Sequence, residues 1–251
     1  MKFSLSVLFL GLFFSALTQV NEVDSQGRKQ GPWQKKYEGI HVLKYKGQFK
    51  NDKPVGTFTY YYKSSKVKAV VKHGENTNRS VAYYYHENGA LMSHGIFRDQ
   101  EKDSVWLNFG PSQRISNTET YAKGILHGKK VVYFVPEIVT DKSQIPSIVS
   151  NYVNGSLEGP YKEYHQNTKT KVTGEYKNNK RNGVWTHYHP NGRKMALYRF
   201  KEGIKHGWCI SYDNSGKEQY KQYFYYGRHL TGDALKEKMR QLKELGVNPN
   251  Q

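Results

Sequence analysis

The sequence predicts an all-β fold: an elongated antiparallel array of β-hairpin repeats, ended by a short C-terminal capping helix. Three observations carry that prediction. Glycine and aromatic residues are abundant together, with 23 Gly, 21 Tyr, 11 Phe and 4 Trp in 251 residues, a composition suited to short strands and turns. Only 36% of the chain is hydrophobic, too little for a domain built round an aliphatic core, while the aromatic content argues against intrinsic disorder. A single period then organises almost everything after residue 27.

That period is read from Gly183, with aromatics two and five positions on at Trp185 and Tyr188. The same phase recurs at Gly31, Gly56, Ser80, Ser104, Gly128, Gly159, Gly183 and Gly207, at intervals of 25, 24, 24, 24, 31, 24 and 24 residues. Taking each anchor as position zero, position five holds Tyr61, Tyr85, Phe109, Tyr133, Tyr164, Tyr188 and Tyr212; the first repeat departs with Lys36. Position two holds Trp33, Phe58, Trp106, Tyr161 and Trp185, with Ala82, Lys130 and Cys209 as exceptions. Eight units in phase define a repeat protein, in which each unit contacts chiefly its neighbours.

Within a unit, Val184 to His189 reads as a strand, Asn191-Gly192 as a hairpin turn needing positive φ, and Arg193 to Phe200 as the returning strand. A second glycine, at Gly47, Gly95, Gly174, Gly203 and Gly227, reads as the close of the unit. A lone hairpin is marginal in water, so successive hairpins are expected to pair edge to edge and stack their aromatics.

The ends and the one irregular interval complete the layout. Residues 1–19 read as a signal peptide: Lys2, an apolar run from Phe3 to Leu17, and a cleavage neighbourhood at Ala16, Thr18 and Gln19. The apolar run is shorter than the roughly 20 residues of a spanning helix; an uncleaved anchor is the second reading. Repeats fill 20–230, with an insertion at about 135–150 whose Pro136 and Pro146 predict a projecting loop. Over 231–251 the repeat stops and a helix is expected, with Leu235, Met239, Leu242 and Leu245 on one face. Thr231 or Asp233 can cap its start and Gly246 suits its end. We read this helix as the cover of the last open edge; its Lys236, Lys238, Arg240 and Lys243 give membrane-surface binding as the second reading. The first repeat is expected to leave a free edge near Gly31.

The run Gly174 to Trp185 (Gly-Glu-Tyr-Lys-Asn-Asn-Lys-Arg-Asn-Gly-Val-Trp), followed by His187-Tyr188-His189-Pro190-Asn191-Gly192, resembles a MORN repeat. More specifically it resembles the bacterial MORN-variant type labelled YwqK-family antitoxin or membrane-binding protein. The resemblance spans about residues 27 to 230, is best in the last three repeats, and weakens at Ser80, Ser104 and around Lys130. It implies an elongated hairpin solenoid used for binding, with lipid or protein partners. An antitoxin acting in the cytoplasm is at odds with a signal peptide.

Catalytic motifs are missing from the sequence. There is no Gly-x-Ser-x-Gly elbow, phosphate loop or His-Glu-x-x-His spacing. The histidines follow the repeat, with His86, His165 and His189 at position six and His127 and His206 just before an anchor. The lone Cys209 reads as a small packing residue, with a reactive thiol as the lesser reading. The sequence therefore predicts a non-enzymatic binding or scaffold protein without metal or cofactor. What the hairpin pattern does not demand is the charge, +18 for the full chain. Lys63, Lys66, Lys68, Lys177, Lys180 and Arg181 lie beside aromatics and are the candidate ligand-binding residues. The expected partner is an envelope or secreted protein or other macromolecule; the alternative is anionic lipid or acidic glycan. Export argues against nucleic acid.

Overall fold

The computed structural model describes residues 19–135 and 144–250. They form one long, open antiparallel sheet of 20 strands with a single helix, Gly232–Glu244. The predicted fold class is thus observed. The signal segment lies outside the described residues, apart from Gln19.

Each repeat contributes an outgoing strand whose last residue stands at position five: Lys29–Lys36, Lys53–Tyr61, Arg79–Tyr85, Glu101–Phe109, Ile125–Tyr133, Gly159–Tyr164, Lys180–Tyr188 and Gly207–Tyr212. The returning strands are Leu43–Lys50, Val67–His73, Leu91–Arg98, Ile115–Ala122, Pro146–Val153, Thr170–Lys177, Lys194–Lys201 and Glu218–Tyr225. The expected loop at 135–150 is therefore shorter than its prediction, because Pro146 opens a strand and pairs with Tyr133. A strand's first residue is one of the few sheet positions proline tolerates. Pro136 lies outside the described residues.

The two margins of the sheet use different turns. On one, His189 N–H bonds to Arg193 O and Gly192 N–H to His189 O, so Pro190-Asn191-Gly192 is a three-residue loop. Only Gly192 of the three has positive φ, at 92°. On the other margin, two-residue turns have both residues at positive φ, as at Asn51-Asp52, Asp99-Gln100 and Asn178-Asn179. Glu202-Gly203 and Tyr226-Gly227 belong to this second set, whose left-handed pair matches strand twist.

The anchor is a bulge. Gly56 and Gly183 have φ of 64° and 67°, and Ser104 is held at 59° in the same place. Opposite them one residue faces three: the register jumps between Lys46 and Gln48, His94 and Ile96, and Thr173 and Glu175. The skipped residues are Gly47, Gly95 and Gly174. They do not close the unit as expected; they seat the next repeat's position-two aromatic. A Cβ on Gly174 would lie 2.3 Å from the Trp185 ring, and one on Gly47 2.5 Å from Phe58.

These seats organise the core. Phe58, Trp106 and Trp185 are buried, as are Ala82 and Cys209 at the same repeat position. Thirteen positions after an anchor, Ala69, Ser93, Val172 and Ala196 are buried too. Cross-strand aromatic contacts continue the row, with Trp185 at 5.1 Å from Tyr176 and 5.4 Å from Tyr161. Repeats are also stitched through position six. Tyr37 Oη donates to Tyr61 O and Tyr62 Oη to Tyr85 O, both at 2.7 Å, while His165 Nε2 lies 3.0 Å from Tyr188 O.

Both ends are covered. Glu22–Val23 pairs with Lys29 and Gln30, and Asn21 bonds to Pro32 O and to Gln34 N–H. The edge near Gly31 is therefore occupied, where a free edge was expected. At the other end the helix packs Leu235, Met239 and Leu242 against Trp208, Tyr223, Tyr225 and Leu230. Strand alternation puts Trp208 and Tyr223 on the side opposite Cys209, so the helix covers a face of the last hairpin as well as approaching its short final strand, Arg228–Leu230. Thr231 occupies the N-cap without a side-chain hydrogen bond, and Leu245 lies outside the packed stripe at 73% exposure. Gly246 takes φ of 64° and stops the helix as expected. No helix among the described residues is long and apolar enough to cross a membrane.

Candidate functional site

The third repeat is one of those in which the sequence match weakens, and it borders an aromatic-lined hollow. In the third repeat, position two is Ala82, fully buried, and the neighbouring buried residues Ala69 and Ser93 are small. Ser80 replaces the anchor glycine without positive φ, and the strands around it pair with no bulge. Where other repeats insert Trp, this one has only methyl-sized groups. On the same face lies a cleft of about 580 Å³, within the usual range for ligand sites; most of its lining comes from the first two repeats, and the third adds Ser80, Tyr84, Phe97 and Gln100.

Successive strands supply its walls: Tyr45, Phe58 and Tyr60, His73, Tyr84, and Phe97. Register places Tyr60 opposite Ala69 and Ala69 opposite Tyr84, so the two tyrosines share one face of the sheet. Tyr45 and Tyr60 are 5.8 Å apart between ring centroids. Burial holds the Tyr60 phenol above its ordinary pKa, reinforced by Tyr45 and Tyr84; burial does the same for Tyr84. These hydroxyls therefore remain donors well into alkaline pH. Among the described residues no protein group bonds to the hydroxyl of Tyr45, Tyr60 or Tyr84, unlike the committed hydroxyls of Tyr37 and Tyr62.

His73 sits at one side, its Nδ1 2.8 Å from Ser80 Oγ and its Nε2 buried without a partner. Burial lowers its pKa, which keeps the ring neutral near pH 7. Lys44 and Lys68, both exposed, are the lysines of the lining, and the lining contains no Asp or Glu.

The five lysines and one arginine singled out from sequence do not form one patch. Lys63 and Lys66 are exposed in the loop after Tyr61, on the three-residue-loop margin. Lys68 is in the next strand, 5.6 Å from the Tyr62 ring, and reaches the cleft. Lys177 and Lys180 flank the Asn178-Asn179 turn on the opposite margin, four repeats on. Arg181 packs over Trp185 at 4.5 Å and Phe200 at 5.5 Å.

Arg181 is one case of a rule that composition concealed. Lys29 lies over Trp33 and Phe49, Lys102 over Trp106 and Tyr121, and Lys205 over Tyr198 and Phe224. All four cations stand two residues before an anchor and roof an aromatic pair, which stabilises them where they are. Part of the positive charge is thus architecture, contrary to the expectation that the hairpins do not use it. The cleft tyrosines were missed because Tyr60 and Tyr84 read as strand aromatics; the signal that could have found them is the small Ala82 between Phe58 and Trp106.

No family model matches the chain, and no curated protein matches it. Among solved structures, one similarity is to a mutant of TarM from S. aureus in complex with fondaparinux, alpha-GlcNAc-glycerol and UDP. It has 16% identity over 49% of this chain and 20% of that one, with a TM-score of 0.24. So low a score carries no argument about fold or activity.

Proposed function

We propose that the protein is an exported, non-enzymatic repeat module that binds another envelope or secreted macromolecule through its sheet. The observation that carries this reading is the aromatic cleft spanning the first three repeats, with the hydroxyls of Tyr45, Tyr60 and Tyr84 uncommitted among the described residues. The histidines support it, because His165 and His189 are engaged by the carbonyls of Tyr188 and Tyr212 in the next repeat. A MORN-variant kinship remains part of the proposal and rests on the repeat motif itself.

Affinity capture with the chain lacking residues 1–19, followed by mass spectrometry, tests binding; recovery no better than with an unrelated basic protein refutes it. N-terminal sequencing of the protein from fractionated cells tests export. Retention of an intact leader in the cytoplasm refutes that part.

A second reading, a peripheral binder of anionic lipid or acidic polysaccharide, is favoured by the two-residue-turn margin. Lys50, Lys53, Lys123, Lys177, Lys180 and Lys201 are exposed along it. Its signature is salt-sensitive binding to anionic vesicles, since exposed charges are screened beyond about 10 Å at 0.1 M salt.

A further inference from the structure

We propose that the cleft spanning the first three repeats binds a segment of acidic oligosaccharide, its rings lying on Tyr60 and Tyr84 and its anionic groups meeting Lys44 and Lys68. This deepens the reading of the chain as a binding module and rests on it.

Four features select that chemistry. Tyr60 and Tyr84 stand on either side of Ala69, two strand spacings or about 10 Å apart, close to the length of two linked pyranose rings. A pyranose offers a flat C–H face to each ring and hydroxyls to the phenol groups, which matches an amphipathic side chain. The hydroxyls of Tyr45, Tyr60 and Tyr84 have no protein partner among the described residues, so a hydroxylated ligand satisfies groups that an apolar one would strand. The lysines at the cleft are not balanced by any lining carboxylate, and neither Lys44 nor Lys68 has an ion-pair partner among the described residues.

Another occupant fits less well. A peptide that docks by strand addition needs an open sheet edge; here the floor is mid-sheet, with its ladder bonds already made between strands.

The test is direct titration of the chain lacking residues 1–19 with polygalacturonate, dextran sulfate, neutral dextran, polyglutamate and anionic phospholipid vesicles. One or both acidic polysaccharides should bind, and neutral dextran and polyglutamate should bind at least about tenfold more weakly, since each lacks either the charge or the rings. Tyr60→Ala with Tyr84→Ala should weaken polysaccharide binding at least about tenfold. Tyr60→Phe with Tyr84→Phe, which keeps the rings and their packing, should lose only several-fold and guards against misfolding of the alanine pair. Lys177→Ala with Lys180→Ala should change affinity less than about twofold. Binding to polyglutamate as tight as to the polysaccharides, or polysaccharide binding indifferent to both tyrosine pairs, overturns the proposal; so does the absence of binding to either acidic polysaccharide. If a partner is captured equally by wild type and by the Tyr60→Ala/Tyr84→Ala variant, the cleft assignment fails while the binding-module reading stands.

Discussion

The third and seventh repeats have the same length and strand order but opposite interiors. In the seventh, Trp185 is completely buried, Gly174 makes room for it, and Gly183 turns the backbone through a bulge. In the third, Ala82 faces Val71 in a regular ladder. The two arrangements differ in how residues eleven apart share the space between neighbouring strands. A large residue faces a smaller one in Gly47 with Phe58, Gly95 with Trp106, Ser150 with Tyr161, Gly174 with Trp185 and Tyr198 with Cys209, whereas Val71 with Ala82 is the pair of two modest side chains. The exception in kind is Glu119 with Lys130, which fills the place with a 2.8 Å ion pair. Val71, of the pair whose members are both modest in size, lines the cleft.

The largest effect that would break this comparison is truncation of the filled pair. Trp185→Ala should cost about 3–5 kcal/mol, read by chemical denaturation. Adding Gly174→Val should recover part of that, because it copies the Val71–Ala82 pair; a strictly additive double variant would refute that sharing of space. Next in size, Gly174→Ala or Gly95→Ala should cost about 1–3 kcal/mol by overpacking, as the new Cβ would lie 2.3 Å from a Trp ring in either case.

Smaller effects sharpen the comparison of anchors. Ser104→Gly should stabilise by up to about 1 kcal/mol, since Ser104 is held at φ of 59°. Ser80→Gly should destabilise, because Ser80 lies in ordinary strand conformation, where glycine adds chain entropy to the unfolded state, and because it removes the Ser80 Oγ contact with His73 Nδ1. Equal responses at the two sites would show that the anchors are alike after all.

Acid should act through one histidine in each region. Burial lowers the pKa of both His73 and His187 below the ordinary 6.5. Their folded-state pKa values are depressed, so the unfolded chain takes up protons first as pH falls. Stability present above about pH 6.5 should therefore decline through the range below it, seen as a falling melting temperature. His73→Gln should remove the share of the third repeat's neighbourhood and His187→Gln that of the seventh.

Much of this was legible in the chain. The 24-residue spacing, the aromatic positions and the terminal helix are local signals, set by strand alternation, turn φ and helical periodicity. The seats were not legible in the same way. Gly47, Gly95 and Gly174 have the spacing of unit-closing glycines, yet their purpose depends on a ring from the next strand. Gly203 and Gly227 look the same in sequence and are turn residues. The candidate cations fared similarly: Lys68 reaches the cleft, Arg181 is taken up by Trp185, and Lys177 and Lys180 lie on a distant margin.

The sequence by itself determined that this is an all-β hairpin repeat with eight anchors and a helix at its end, because each of those features is encoded within a few residues of itself. Only the tertiary structure decided which aromatics are packed and which line a cleft, and which charges roof rings and which remain free. Those outcomes depend on volume and charge shared between residues eleven or more apart on adjacent strands, and a strand's neighbour has no say until the sheet has formed.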